Sequence, residues 1–147
     1  MRAARSFRRS IDALDDLFAF TSETFARAGL AQELRPSIDF VLEELFTNIV
    51  KYGRASDTLV GIELTQVPGG VQVTMTDDDA ERFDPTEAPD ADTKLPIEQR
   101  NPGGLGIHLI RRLVDSFEYR YDEERRQGRT TFRKRLAEAK GEEIARD

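Results

Sequence analysis

Apolar residues recur along Pro36 to Tyr52 as Ile38, Val41, Leu42, Leu45, Phe46, Ile49 and Val50. This is the i, i+3, i+4, i+7 spacing of one face of an amphipathic helix. Pro36 suits the first helical position, where a missing N–H costs nothing, and Gly53 suits the stop. At about 100° per residue, Glu44 and Asn48 fall side by side along one flank of the stripe. Lys51 continues their line and Tyr52 sits on the stripe itself. A carboxylate and a carboxamide therefore project from the border between core and solvent. A cleft beside this helix would be lined by both, although ordinary solvated flank residues show the same pattern.

The remaining pattern supplies partners for that helix. Ser6 to Ile11 reads as a short edge strand. Asp12 to Ala28 keeps helical spacing through Leu14, Leu17, Phe18, Thr21, Phe25 and Ala28, with Gly29 as C-cap. Thr58 to Val67 alternates with Val60, Ile62 and Leu64 on one face, and Val71, Val73 and Met75 do likewise after the turn Pro68-Gly69-Gly70. The pair predicts an antiparallel hairpin with one apolar face, so helices should cover one side of the sheet. From Asp77 to Gly103 periodicity is lost among prolines and acidic residues; a stretch this long suggests a lid, with a plain surface excursion as the alternative. Gly103-Gly104-Leu105-Gly106 then opens a helix marked by Ile107, Ile110, Val114 and Phe117. Phe117 to Asp122 and Thr130 to Leu136 predict a closing hairpin around a charged turn with Gly128, and Ala137 to Asp147 is a polar tail.

Composition narrows the classes. The chain has 147 residues, one domain's worth, and the core is expected over about 12–136. A net charge of −6 argues against a nucleic-acid interface, whose footprint is basic; the four arginines of MRAARSFRR read as solvated charge beside the first strand. With no cysteine, thiolate metal sites are excluded. No apolar run approaches a membrane span or a signal-peptide core, which makes the cytoplasm the expected compartment. His108 is the only histidine, which removes poly-histidine metal sites and nearly all histidine-based nucleophile designs. A helix-surface or packing role suits it better than catalysis.

Three signals occur in a fixed order. They are an E-x-x-x-N pair on a helix flank, an acidic turn running into Phe83-Asp84-Pro85, and a Gly-Gly-x-Gly turn opening a helix. Together they could make a nucleotide pocket. A carboxylate there hydrogen-bonds an exocyclic amine, a carboxamide holds a metal bridging phosphates, and glycines admit the anionic tail to backbone N–H groups. In this order EELFTNIVKYG resembles the N box, DDDAERFDP the first glycine box and GGLGIHLIRRLVD the second glycine box of GHKL (Bergerat-fold) ATP-binding domains. Within them the chain is most similar to the anti-sigma-factor serine kinases of bacterial partner-switching pathways.

The resemblance implies an α/β sandwich, with a mixed, mainly antiparallel sheet and helices on one face, as a single domain over 1–147. It implies ATP and Mg²⁺ as ligands. Asn48 matches the magnesium-binding asparagine, and Glu44 the carboxylate that acts as general base on a protein serine. Gly104 and Gly106, flanked by Gly103 and Leu105, match the phosphate loop; Arg100 matches an arginine at the terminal phosphate. Lys51 and Phe83 complete the expected nucleotide contacts.

Counting back from Phe83 makes Asp78 the adenine-binding aspartate, with Ala80 in a glycine's place, whereas strand alternation favours Asp77 and a bulge would reconcile the two. Asp78 is the choice here. Ala80 would hinder a positive φ and add a methyl near the base. The implied function is a protein serine/threonine kinase that phosphorylates a STAS-domain anti-sigma-factor antagonist. A sigma factor or other sequestered protein would be the second partner, and the kinase a homodimer. The alternative is a catalytically weak nucleotide-binding module that sequesters a partner. Histidine autophosphorylation needs an acceptor histidine on an upstream dimerisation helix, and His108 in the glycine-box helix argues against it.

Overall fold

The computed structural model describes residues 1–53, 57–78, 80–82, 84–87 and 104–137. Among these, strands β1 (Arg2–Phe7), β2 (Val60–Val67), β3 (Gly70–Asp77), β4 (Ser116–Asp122) and β5 (Gln127–Arg135) form one sheet in the order β1-β2-β3-β5-β4. Each of the four ladders is antiparallel. Helices α1 (Leu14–Ala28), α2 (Arg35–Tyr52) and α3 (Gly104–Leu113) complete the domain. No helix among the described residues is long and apolar enough to cross a membrane.

The core follows the hydrophobic pattern. Val60, Ile62, Leu64, Val73, Met75 and Phe132 are buried on one face of the sheet, in a single cluster with Leu17 and Phe25 of α1, Ile38, Leu42 and Phe46 of α2, and Ile107 and Ile110 of α3. Full burial of each such side chain contributes about 1.5–3 kcal/mol. The opposite face is polar: Thr74 pairs with Thr131 at 3.3 Å, and Arg133 Nε donates to Gln72 at 2.7 Å. Helices α1 and α2 are tied where Thr21 and Arg35 both donate to the Asp39 carboxylate at 3.0 Å.

Three boundaries differ from the sequence expectation for physical reasons. The first strand lies earlier, at Arg2–Phe7, because the Ser10 hydroxyl accepts from Asp12 N and opens a 3-10 turn over Ile11–Ala13. The glycine-rich turn belongs to α3 itself, whose backbone becomes helical at Gly104. Gly128 sits within β5, facing Asp77 on one side and Tyr121 on the other, while Arg126 (φ 52°) closes the turn. At Gly128 a Cβ would stand 2.8 Å from the Tyr119 hydroxyl, so the glycine admits that ring. The remaining caps follow expectation, with Gly29 at φ 63° ending α1 and Gly69 at φ 72° turning the β2–β3 hairpin. Of the expected lid, residues 79, 83 and 88–103 lie outside the described residues, and the described part holds a 3-10 turn over Pro85–Glu87.

Candidate functional site

The last two turns of α2 stand over the inner face of β3, β5 and β4 and leave a cavity of about 110 Å³ between them. Leu45, Asn48, Ile49 and Tyr52 line it from the helix, which is again the i, i+3, i+4, i+7 face. Met75 and Asp77 line it from β3, Thr130 and Gly128 from β5, and Tyr119 from β4. Ala80, Glu81, Arg82 and Pro85 form the remaining wall. Apolar side chains thus share the lining with the Asn48 carboxamide, the Asp77 and Glu81 carboxylates, the Arg82 guanidinium and the hydroxyls of Tyr52, Tyr119 and Thr130, the mixture of apolar surface and placed polar groups of a small-molecule site.

Asn48 is 9% exposed, so its carboxamide is held in the cavity wall. One turn back along α2, half-buried Glu44 crosses toward α3. A Cβ on Gly106 would lie 2.7 Å from the Glu44 carboxyl carbon. The glycine therefore leaves room for that carboxylate at the N-terminal turn of α3. Glu44 and Asn48 stand about one turn, roughly 5.4 Å of rise, apart along α2, Asn48 in the cavity wall and Glu44 against the first turn of α3. Two polar groups read from the flank of one helix and a glycine far along the chain are thus brought to one place.

The acidic turn differs from expectation. Asp77, rather than Asp78, faces the cavity. Strand β3 runs through Asp77 in unbroken register with Val60 and Gly128, so the inward phase of Val73 and Met75 carries on to it. The next side chain points away: Asp78 is exposed and accepts from Gln127 Nε2 at 2.7 Å. No bulge intervenes before Asp77. Ala80 needs no left-handed backbone, since Arg126 alone among the described non-glycine residues has a positive φ. Ala80 is buried and its backbone is pinned, its N–H donating to Arg126 O at 2.8 Å and its carbonyl accepting from the Tyr121 hydroxyl at 2.6 Å.

Of the other expected contacts, Lys51 is exposed and outside the cavity lining. Gly104 and Leu105 supply the first two helical positions of α3. Arg100, Phe83 and Gly103 lie outside the described residues. Asp84 serves the local backbone. Its Oδ1 accepts from Thr86 N at 2.8 Å and Thr86 Oγ1 at 2.6 Å, opening the turn that Arg111 holds through Thr86 O. Met75 is legible from sequence as an inward strand residue, whereas Thr130 and Tyr119 carry no site expectation there. Thr130 carries a readable signal, since it is a polar residue at an inward position where Phe132 sets the phase.

Comparison with known proteins bears on the family and the fold. The family model described as the histidine kinase-like ATPase domain matches residues 7–134. The chain belongs to that family. Its fold is also similar to the crystal structure of the RsbU and RsbW domains of Rv1364c from Mycobacterium tuberculosis, with a TM-score of 0.64 at 16% identity. That match covers 92% of this chain and 32% of the other, so this domain spans about a third of that protein's chain. No curated protein sequence matches.

As a histidine kinase-like ATPase domain, the chain has a site whose parts suit a nucleotide. Magnesium favours one or two protein oxygens together with phosphates and water over an all-protein cage. A single carboxamide in the wall fits that preference, and no group of three or more His, Asp or Glu among the described residues forms a cage. The N-terminus of α3, whose leading N–H groups have no acceptor within the helix and whose dipole end is positive, suits a phosphate tail.

Proposed function

We propose that this domain is an ATP-dependent protein serine/threonine kinase that regulates its target by partner switching. The observation that carries the reading is the approach of Glu44 to Gly106 beside a cavity walled by Asn48 and Asp77. The base occupies the cavity, with Asp77 accepting from its exocyclic amine and Thr130 and Tyr119 beside it. Asn48 would hold Mg²⁺, which would supply charge neutralisation on the phosphates. The backbone N–H groups from Gly104 to Gly106 receive the phosphate tail, and Arg100 meets its terminal group. Glu44 accepts the proton of a serine or threonine hydroxyl as that oxygen takes the terminal phosphoryl group and ADP leaves. Such transfer needs mainly positioning and charge stabilisation, which this set of groups can supply. The acceptor is a STAS-domain antagonist, the second partner a sigma factor or similar sequestered protein, and the working unit a homodimer.

The purified protein, Mg·ATP labelled at the terminal phosphate and the STAS-domain proteins of the same cell provide the test. Label is expected on a serine or threonine of one of them. Glu44→Gln should retain nucleotide affinity within about twofold while slowing transfer roughly 10²–10⁴-fold, the range for losing a general base. Undiminished transfer by that variant removes Glu44 from the mechanism. Nucleotide binding without label on any acceptor favours the sequestering module instead, a reading to which the Ala80 methyl, buried in the cavity wall, lends support.

A further inference from the structure

The Asp77 carboxylate is held from behind by a residue that the sequence pattern assigned to solvated charge. Arg9, just past β1, is 8% exposed at its side chain, against 15% for Asp77. Its Nε donates to Thr58 O at 2.9 Å, and its Nη2 donates to Thr58 Oγ1 at 3.0 Å and to Asp78 O at 2.7 Å. The same Nη2 contacts Asp77 Oδ1. Thr58 Oγ1 in turn donates to Asp78 O at 3.0 Å, closing the network around the end of β3. Arg9 is absent from the cavity lining, so whatever it does for a ligand it does through Asp77.

We infer that Arg9 is a positioning residue for base recognition: it keeps the Asp77 carboxylate ionised and aimed, so that the cavity selects a purine carrying an exocyclic amine. This rests on reading the cavity as a nucleotide site. A carboxylate beside Leu45, Ile49 and Met75 is costly to keep charged without a partner. A charge-assisted bond from a guanidinium offsets that cost and fixes the direction of the carboxylate. Ionisation matters for selectivity because a carboxylate only accepts, whereas a protonated carboxyl also donates and would tolerate a carbonyl at the same ring position. Adenine presents an amine there and hypoxanthine a carbonyl, which makes ITP the probe.

A purely structural staple would behave differently. Its loss would weaken ATP and ITP together and leave their ratio unchanged. Equilibrium titration of wild type, Arg9→Gln, Arg9→Lys and Asp77→Asn with Mg·ATP and with Mg·ITP separates the cases. Wild type should prefer ATP by roughly ten- to a hundredfold, the value of a satisfied against an unsatisfied buried hydrogen bond. Asp77→Asn, whose amide can donate, should erase the preference. Arg9→Gln should bring the ratio to within about threefold of unity with ITP affinity little changed. Arg9→Lys keeps the charge without the fork and should fall between, and it serves alone if the glutamine variant does not fold. An unchanged ATP/ITP ratio in the arginine variants, with either retained or equally reduced affinities, overturns the assignment. Wild-type discrimination erased by Asp77→Asn alone leaves the nucleotide site standing without Arg9. Wild-type protein that binds neither nucleotide overturns both.

Discussion

Three side chains and one missing side chain define the site: Asn48, Asp77, Glu44 and Gly106. The glycine is the most informative, because its neighbour is the mobile end of a carboxylate rather than backbone. In Gly106→Ala the new methyl can be accommodated by turning Glu44 aside. Alanine also favours a helix over glycine by roughly 0.5–1 kcal/mol. The melting temperature of that variant should stay level or rise while phosphotransfer falls, by up to about 10² if the carboxylate moves by an ångström. Stability and activity that decline together would mean that Gly106 serves the fold and not the placement of Glu44. The residue scale is also where long-range contacts decide most. Counting back from Phe83 points to Asp78 and strand alternation to Asp77, and the continuous β3 ladder carries the alternation through to Asp77. Arg9 could not be separated from Arg2, Arg5 and Arg8 in a basic run, because its burial depends on contacts forty-nine and sixty-eight residues away.

The elements themselves were largely legible, since each buries a periodic apolar face. The stripe of α2, the alternation of β2 and β3 and the cap at Gly29 are local signals and appear where expected. Boundaries shifted where side-chain capping or long-range contacts decide them, as at Ser10 and Gly128. Strand order was not written in the pattern, because the insertion of β5 between β3 and β4 depends on pairing alone. A second glycine tests that pairing. Gly70 opens β3 opposite Arg135, and a Cβ there would lie 2.8 Å from the Arg135 Cα and 2.9 Å from the Lys134 carbonyl carbon, atoms that cannot rotate away. Gly70→Ala should therefore destabilise the domain by about 1–3 kcal/mol in urea unfolding, as overpacking does. The same substitution is thus expected to have opposite effects at positions 70 and 106. A Gly70→Ala midpoint equal to wild type would show that the two strands separate freely at this end.

For the whole molecule, the sheet and α2 wall the cavity, and Gly106 of α3 faces Glu44, one turn along α2 from Asn48. The central claim is that a triphosphate with its magnesium lies between that asparagine and the start of α3. Calorimetric titration of Mg·ATP into wild type and Asn48→Ala, with melting curves to verify folding, tests it most directly. Wild type should bind one nucleotide per chain, and the alanine variant should lose roughly tenfold or more of the affinity seen with magnesium while keeping that seen without it. Absence of heat at millimolar nucleotide, or identical magnesium-dependent affinity in the two proteins, would contradict the account.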